Sequence, residues 1–390
     1  MSDLFSEAQA LFDYTRGIRR DLHRHPELGF EEVRTAGIVA SELRGMGIEV
    51  TTGLAKTGVV ALMEGARPGP VLLLRFDMDA LPIMEETGAV YASQTPGKMH
   101  ACGHDGHVAV GLTVARLLGI HRADMAGTVK IMFQPAEEGL GGAEGMIEAG
   151  VLENPAPKYS LALHLWNEQP VGWLGVGPGP VMAGAEMFNV KLTGKGGHGA
   201  MPHQSIDPVV AAAQVITALQ TIVARNVSPL EASVISVTQI QGGDAFNVIP
   251  PSVTFQGTIR TFDAGVRQIT IERFRQVVHG VAGAMGCQAE IDLRLLTPAV
   301  VNDVYMAEKV QNAARTYLPE FKIEPAYRTM GSEDMAYVMQ KIPGCYFFVG
   351  SANGEKGLMY GHHHPRFDFD ESVLPRAAAL MAGTVIDLLR

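Results

Sequence analysis

Four short apolar runs constrain the fold of this chain more than any other feature: Val59–Met63, Val71–Leu74, Val129–Phe133 and Leu161–Leu163. Each is shorter than a core helix and nearly continuous in its apolar character, and helical pattern or turn residues such as Gly58 separate them. A strand with one wet face alternates polar and apolar residues, whereas a strand buried on both faces does not. The expected class is therefore α/β, a mostly parallel sheet covered by helices. Tyr346–Val349 has the same texture near the C-terminus.

Ionisable residues follow three of these runs: Arg75 to Asp79, Gln134 to Glu138, and His164. Ligands of open α/β sheets bind beyond the carboxyl ends of the strands, so three strands are expected to deliver carboxylate or imidazole to one edge. From about Met182 the texture changes. Phe188–Leu192, Val234–Val237 and Val253–Phe255 alternate as half-exposed strands, and two helical patterns, about 207–225 and 264–284, separate them. This is the plan of a small α+β domain inserted over residues 184–296, which leaves a discontinuous larger domain of 1–183 plus 297–390. Two domains are the natural expectation for 390 residues. An amphipathic helix is expected over residues 5–22, stopped by Pro26.

Residues 99–107 concentrate one cysteine, three histidines and an aspartate around two glycines. Thiolate, imidazole and carboxylate are the donors of a transition-metal site; the plain alternative is a buried, inert cysteine beside loop histidines. Val108–Leu118 reads as a buried helix, so Cys102 and His104 fall at a helix N-terminus, where the dipole favours thiolate. Glu137 and Glu138 are neighbours on an extended segment and point in different directions. One can bind a metal while the other takes the proton of a water, the two tasks that metal-assisted hydrolysis requires side by side. Asp77 could ligate directly, and the preferred role is to orient an imidazole by accepting its second N–H. His362, His363 and His364 share one Gly–Pro turn and cannot all converge on one ion. His23 and His25, beside Pro26, are expected to be structural or to support the ligands from behind rather than to bind metal.

Gly194–Gly199 matches Gly-x-Gly-x-x-Gly, but Pro202 stands where the helix of a dinucleotide site would run. A glycine-rich loop that carries His198 fits better. Asn247 and Arg260 lie on the same inserted domain, and Arg260 is a candidate carboxylate clamp. A net charge of −10 argues against nucleic acid or an anionic membrane as partner. Three scattered cysteines do not make a disulfide framework. The N-terminus lacks a leader pattern and no apolar run approaches a membrane span, so a cytoplasmic protein is expected. Neither Gly-x-Ser-x-Gly nor a phosphate-binding loop occurs.

Taken in order, His-Arg-His-Pro-Glu-Leu, Asp-Met-Asp-Ala-Leu-Pro, Met-His-Ala-Cys-Gly-His-Asp, Gln-Pro-Ala-Glu-Glu, Gly-Gly-His-Gly-Ala-Met-Pro-His, Phe-Asn-Val-Ile-Pro and His-His-Pro-Arg-Phe resemble the amidohydrolase branch of the aminoacylase/carboxypeptidase metallopeptidases. That branch includes hippurate hydrolases, N-acyl-amino-acid deacylases and auxin-conjugate hydrolases. The resemblance spans essentially the whole chain.

It implies a site for two divalent metal ions, with Cys102, His104, Glu138, His164 and His363 as ligands and Glu137 as general base. His198 would polarise the scissile carbonyl, from the inserted lid and dimerisation domain of a second subunit. Asn247 and Arg260 match positions that bind the substrate carboxylate. The substrate implied is an N-acyl amino acid, and the assembly a homodimer or homotetramer. Other branches carry a histidine in place of Arg75 and an aspartate in place of Cys102. The softer thiolate leaves zinc, manganese, cobalt and nickel open.

Overall fold

In the computed structural model, which describes residues 3–390, the apolar runs become strands of one eight-stranded sheet. Its strands are β1 (Glu49–Leu54), β2 (Gly58–Glu64), β3 (Arg67–Asp77), β4 (Ala126–Gln134), β5 (Tyr159–Pro170), β6 (Trp173–Gly175), β7 (Lys322–Glu324) and β8 (Gly344–Ala352). They lie side by side in the order β1-β2-β4-β3-β5-β8-β6-β7. The central four, β4-β3-β5-β8, are parallel throughout. Antiparallel pairs flank them, β1 with β2 and β2 with β4 on one side and β6 with β8 on the other. The central strands are the continuous apolar runs, as expected for strands covered on both faces.

The N-terminal helical pattern is two helices, α1 (Leu4–Ala10) and α2 (Phe12–Arg24), interrupted at Leu11. Helix α3 spans Val33–Gly45 and α4 spans His104–Ile120. Most of α4 is buried, and it lies directly on the sheet: a Cβ at Gly111 would meet the Phe76 and Phe133 rings at 2.7–2.9 Å. That close approach fixes the start of α4, and with it the Cys102–His104 loop, against the end of β3.

The chain divides into two compact units, residues 1–181, 301–327 and 334–390 in one and 182–300 plus 328–333 in the other. The segment 328–333, expected to stay with the larger unit, joins the smaller one. There, Met182 pairs with Thr329 in parallel, and the Ala183 N–H donates to the carbonyls of Thr329 and Gly331.

The smaller unit is an antiparallel sheet of Ser233–Gln241, Ser252–Thr261, Gly184–Thr193 and Gln288–Thr297, in that spatial order. Helices Pro208–Arg225 and Ala264–Ala284 pack on it around a core of its own that includes Phe188, Phe255 and Phe274. Contrary to the expectation that no apolar run approaches a membrane span, Pro208–Arg225 is long and apolar enough to cross a membrane by length and composition alone. Ala211, Ala212, Val215, Leu219 and Ile222 on one of its faces are buried in that core.

Candidate metal centre

Strand register sets the floor of the site. Asp77 ends β3 opposite Gln134, the last residue of β4. Arg75 pairs with Ala162, which puts His164 level with Asp77 on β5. His164 is therefore inside a long strand rather than at the end of one, because β5 runs on to Pro170. After β4 the chain turns through Ala136, a non-glycine residue at φ 55°, and presents Glu137 and Glu138.

Three donor groups overlap here, each with its ligand atoms within 4.8 Å of one another. They are Cys102, His104 and His164; Cys102, Glu138 and His363; and His104, Glu137 and Glu138. All six residues picked out by sequence for this centre thus meet in one unit, and Cys102 belongs to two groups. Of the three turn histidines, His363 reaches the cluster, with Nε2 3.1 Å from Glu138 Oε1. Its backbone sits at φ 65°, and its N–H donates to the Ala101 carbonyl at 2.8 Å.

The tautomers follow from partners that can only accept or only donate. His164 Nδ1 lies 2.7 Å from the Leu165 carbonyl, so Nδ1 carries the hydrogen and the Nε2 lone pair faces Cys102 Sγ at 3.5 Å. His104 Nδ1 likewise donates to the Asp79 carbonyl at 2.9 Å and to Asp79 Oδ1 at 3.2 Å. Its Nε2 is buried with no hydrogen-bond partner. A buried, unpartnered nitrogen among carboxylates and a thiol is the arrangement a divalent cation satisfies, so the residues present fit a metal.

Asp77 takes the orienting role preferred for it from sequence. The imidazole it orients is that of His107, whose Nδ1 donates to Asp77 Oδ1 at 2.6 Å. His107 Nε2 in turn accepts the Leu165 N–H at 2.9 Å, fixing the backbone next to His164. The second N–H of His104 goes to Asp79, which the sequence had placed only at the end of the strand. Asp79 also accepts the Glu138 N–H through Oδ2 at 3.0 Å, so one carboxylate braces two donor residues from different segments. Arg75 does not serve as a ligand. Its buried guanidinium donates to Gln134, Asp77 and Asp334. Asp334 also receives Gln134 Nε2 and the Ala143 N–H, which ties β3, β4 and the helix Gly142–Glu148 together.

The thiolate expectation is corrected for the site without an ion. Burial, followed by Glu138, Glu137 and Asp77, pushes the Cys102 thiol well above its ordinary value. The helix begins only at His104, behind Gly103 at φ 94°, and a weak dipole does not offset three carboxylates. His362, whose role the sequence left open, gives the sulfur one donor. Its Nε2 accepts the Asn167 N–H at 3.3 Å, so Nδ1 carries hydrogen toward Cys102 Sγ at 3.9 Å. Burial lowers His104, yet Asp77 and Asp79 outweigh it and hold this histidine up at about 10. Burial and the neighbouring His107 and His362 push His164 well down.

His23 is buried in a separate polar cluster. Its Nδ1 is 2.8 Å from Asp105, which also pairs with the buried Arg19. His25 bonds to the Asp21 carbonyl. Neither belongs to a donor group, in keeping with a structural role.

The remaining candidates are in the smaller unit. His198 is exposed and pairs with Val248, beside Asn247, whose carbonyl accepts the Gly199 N–H at 2.8 Å. His198 Nδ1 accepts the Ala200 N–H at 3.0 Å, leaving Nε2 as the protonated, outward nitrogen. Arg260 stands on the strand Ser252–Thr261 with Nε donating to Thr258 Oγ1 at 3.1 Å.

The model of peptidase family M20/M25/M40 matches residues 73–387. An N-acetylcysteine deacetylase of Bacillus subtilis (strain 168) is 40% identical over 373 residues, 95% of this chain and 96% of its own. The IAA-amino acid hydrolase ILR1-like 4 of Arabidopsis thaliana is 41% identical over 376 residues, 95% of this chain and 85% of its own. The crystal structure of the Bacillus subtilis YXEP protein, described as a dinuclear metal binding peptidase from the M20 family, superposes with a TM-score of 0.86 at 37% identity. The superposition covers 98% of this chain and 99% of that one. Because the matched span takes in the whole donor cluster, the chain belongs to peptidase family M20/M25/M40, and it is a metal-binding amidohydrolase.

Proposed function

We propose that the protein cleaves the amide bond of N-acyl amino acids, releasing a carboxylic acid and a free amino acid, with Glu137 as general base. The observation that carries this reading is the placement of Glu137 in one donor group with His104 and Glu138, while Glu138 also belongs to the group of Cys102 and His363. One carboxylate is committed to the ligand set, and its neighbour is close enough to act on what that set holds. Relatives named for an N-acetyl amino acid and for an amino-acid conjugate support the substrate class.

Two divalent ions would be held by Cys102, His104 and His164 and by Cys102, Glu138 and His363; when bound, they supply Lewis-acid polarisation of water and of the carbonyl. Glu137 takes the proton of the attacking water and returns it to the leaving amine. His198 offers its Nε2–H to the developing oxyanion, and Asn247 and Arg260 receive the substrate carboxylate. Burial lowers the Arg260 guanidinium, as at a clamp that sheds water before pairing. The assembly is a homodimer or homotetramer in which a second copy supplies His198. Exposed Met201, Phe246 and Val248 near it give that loop an apolar surface to be covered. Three unpaired, buried cysteines suit a reducing compartment such as the cytoplasm.

The test is amine release from N-acetyl, N-benzoyl and N-carbamoyl amino acids and dipeptides, using chelated enzyme and enzyme reloaded with zinc, manganese, cobalt or nickel. Metal-restored hydrolysis of an N-acetyl or N-benzoyl amino acid supports the reading. Turnover confined to dipeptides or carbamoyl compounds refutes the substrate class.

A further inference from the structure

We infer that Glu32, together with Gly29, is a positioning device for Glu137, an inference that rests on reading Glu137 as the general base. The residue before Glu137 is Ala136, which is fully buried and held at φ 55°, a region non-glycine residues enter only when their surroundings require it. What holds it is remote in sequence. The Ala136 N–H donates to Glu32 Oε1 at 2.9 Å, and the other carboxylate oxygen of Glu32 accepts the Thr57 hydroxyl at 2.6 Å.

Glu32 is fully buried and occupies the residue before α3, yet it makes no capping bond to its own helix. Glu27 takes that task, accepting the Arg34 and Thr35 N–H groups at 2.9 and 2.8 Å. The helix start is thus satisfied by one carboxylate, and the second is free to reach the loop. Gly29 completes the contact, since a Cβ there would lie 3.0 Å from Ala136 Cα and Cβ and 2.8 Å from Leu140 Cδ1. The segment is itself anchored, as the Glu27 carbonyl accepts the Ala80 N–H at 2.8 Å. On the far side of Glu137, Asp79 accepts the Glu138 N–H. The Pro135–Ala136 and Glu137–Glu138 peptides, which flank Glu137, are therefore both held by carboxylates from other segments. A base displaced by about 1 Å loses on the order of 100-fold in rate, which gives such a clamp its value.

The experiment compares Glu32→Ala, Glu32→Gln and Gly29→Ala in the metal-loaded enzyme, reading kcat and KM on a hydrolysed N-acetyl amino acid. Bound-metal stoichiometry and amide hydrogen exchange over residues 134–142 are read alongside. Glu32→Ala is expected to lower kcat about 100-fold with KM within about threefold, to keep its metals, and to exchange faster in that segment alone. Glu32→Gln retains an acceptor for Ala136 and a partner for Thr57, and restores most of kcat. Gly29→Ala, which pushes on Ala136 from the other side, lowers kcat with metals retained. Wild-type kcat per folded molecule in Glu32→Ala, unchanged exchange, or Glu32→Gln as impaired as Glu32→Ala overturns the inference. If the wild type hydrolyses nothing offered while exchange in Glu32→Ala rises, the clamp stands and the substrate reading is what failed.

Discussion

Asp79→Asn keeps the shape of a residue that touches two proposed metal donors and changes only what its end can accept. As a carboxylate, Asp79 receives His104 Nδ1–H through Oδ1 at 3.2 Å and the Glu138 N–H through Oδ2 at 3.0 Å. Asparagine has one acceptor oxygen, so its NH2 must face one of those donors. Toward Glu138, the loss is a hydrogen bond to a charged acceptor, about 1.5–3 kcal/mol. Toward His104, the ring keeps the Asp79 carbonyl at 2.9 Å but loses the negative charge that makes Nε2 a stronger donor. Removing such a partner of a metal ligand costs about 10–100-fold in metal affinity, or about 1.4–2.8 kcal/mol. The assay is competition for zinc, and separately for manganese, against a chromophoric chelator, with a thermal melt of the metal-free protein as control. Affinity within about twofold of wild type, with the melt unchanged, would show that Asp79 does not brace the ligands.

Three other outcomes are expected. Glu137→Gln abolishes turnover while metal analysis shows the same content; loss of metal would mean that the two glutamates exchange roles. Metal binding near neutral pH releases about two to three protons, from Cys102, His104 and His363, the last also held up by its Glu138 partner. Asp77 and Asp79 overcome burial to hold His104 at about 10, burial pushes the Cys102 thiol up, and His164 is already neutral. Affinity therefore rises with pH, and binding heats that do not vary with the ionisation heat of the buffer would refute this. Arg19→Met strands the buried carboxylates of Asp105 and Asp368, which pair with Arg19 at 2.8 and 2.7 Å, and costs about 3–5 kcal/mol in urea unfolding at pH 7. Burial alone would raise Asp105, but Arg19 and His23 hold it well below its ordinary value. Stability from that depressed carboxyl is complete above about pH 4 and is lost as pH falls toward the folded-state value. The gap between wild type and variant should narrow in acid, and a constant gap down to pH 3 would contradict the assignment.

Local chemistry made much of this molecule readable in order along the chain. Continuous apolar runs announced the central parallel strands because burial on both faces leaves a mark in every residue of a strand. Alternation announced the smaller sheet for the complementary reason. The strand β1 gave no such signal, since it is mostly exposed, and β6 and β7 are three residues each, too short for any period. The candidate donors were legible because Cys102, His104 and the Glu137–Glu138 pair are chemically conspicuous within short segments.

What those donors lean on was decided by the tertiary structure. Asp334 is 259 positions from Arg75, Glu32 is 104 from Ala136, and Asp79 is 25 from His104 and 59 from Glu138. Hydrogen bonds across such separations leave no periodic trace, because their partners meet only when strands of distant sequence come into register. The protonation of Cys102 was likewise out of reach. A helix N-terminus can be read from sequence, whereas burial and three converging carboxylates, which outweigh its dipole, exist only in the folded chain.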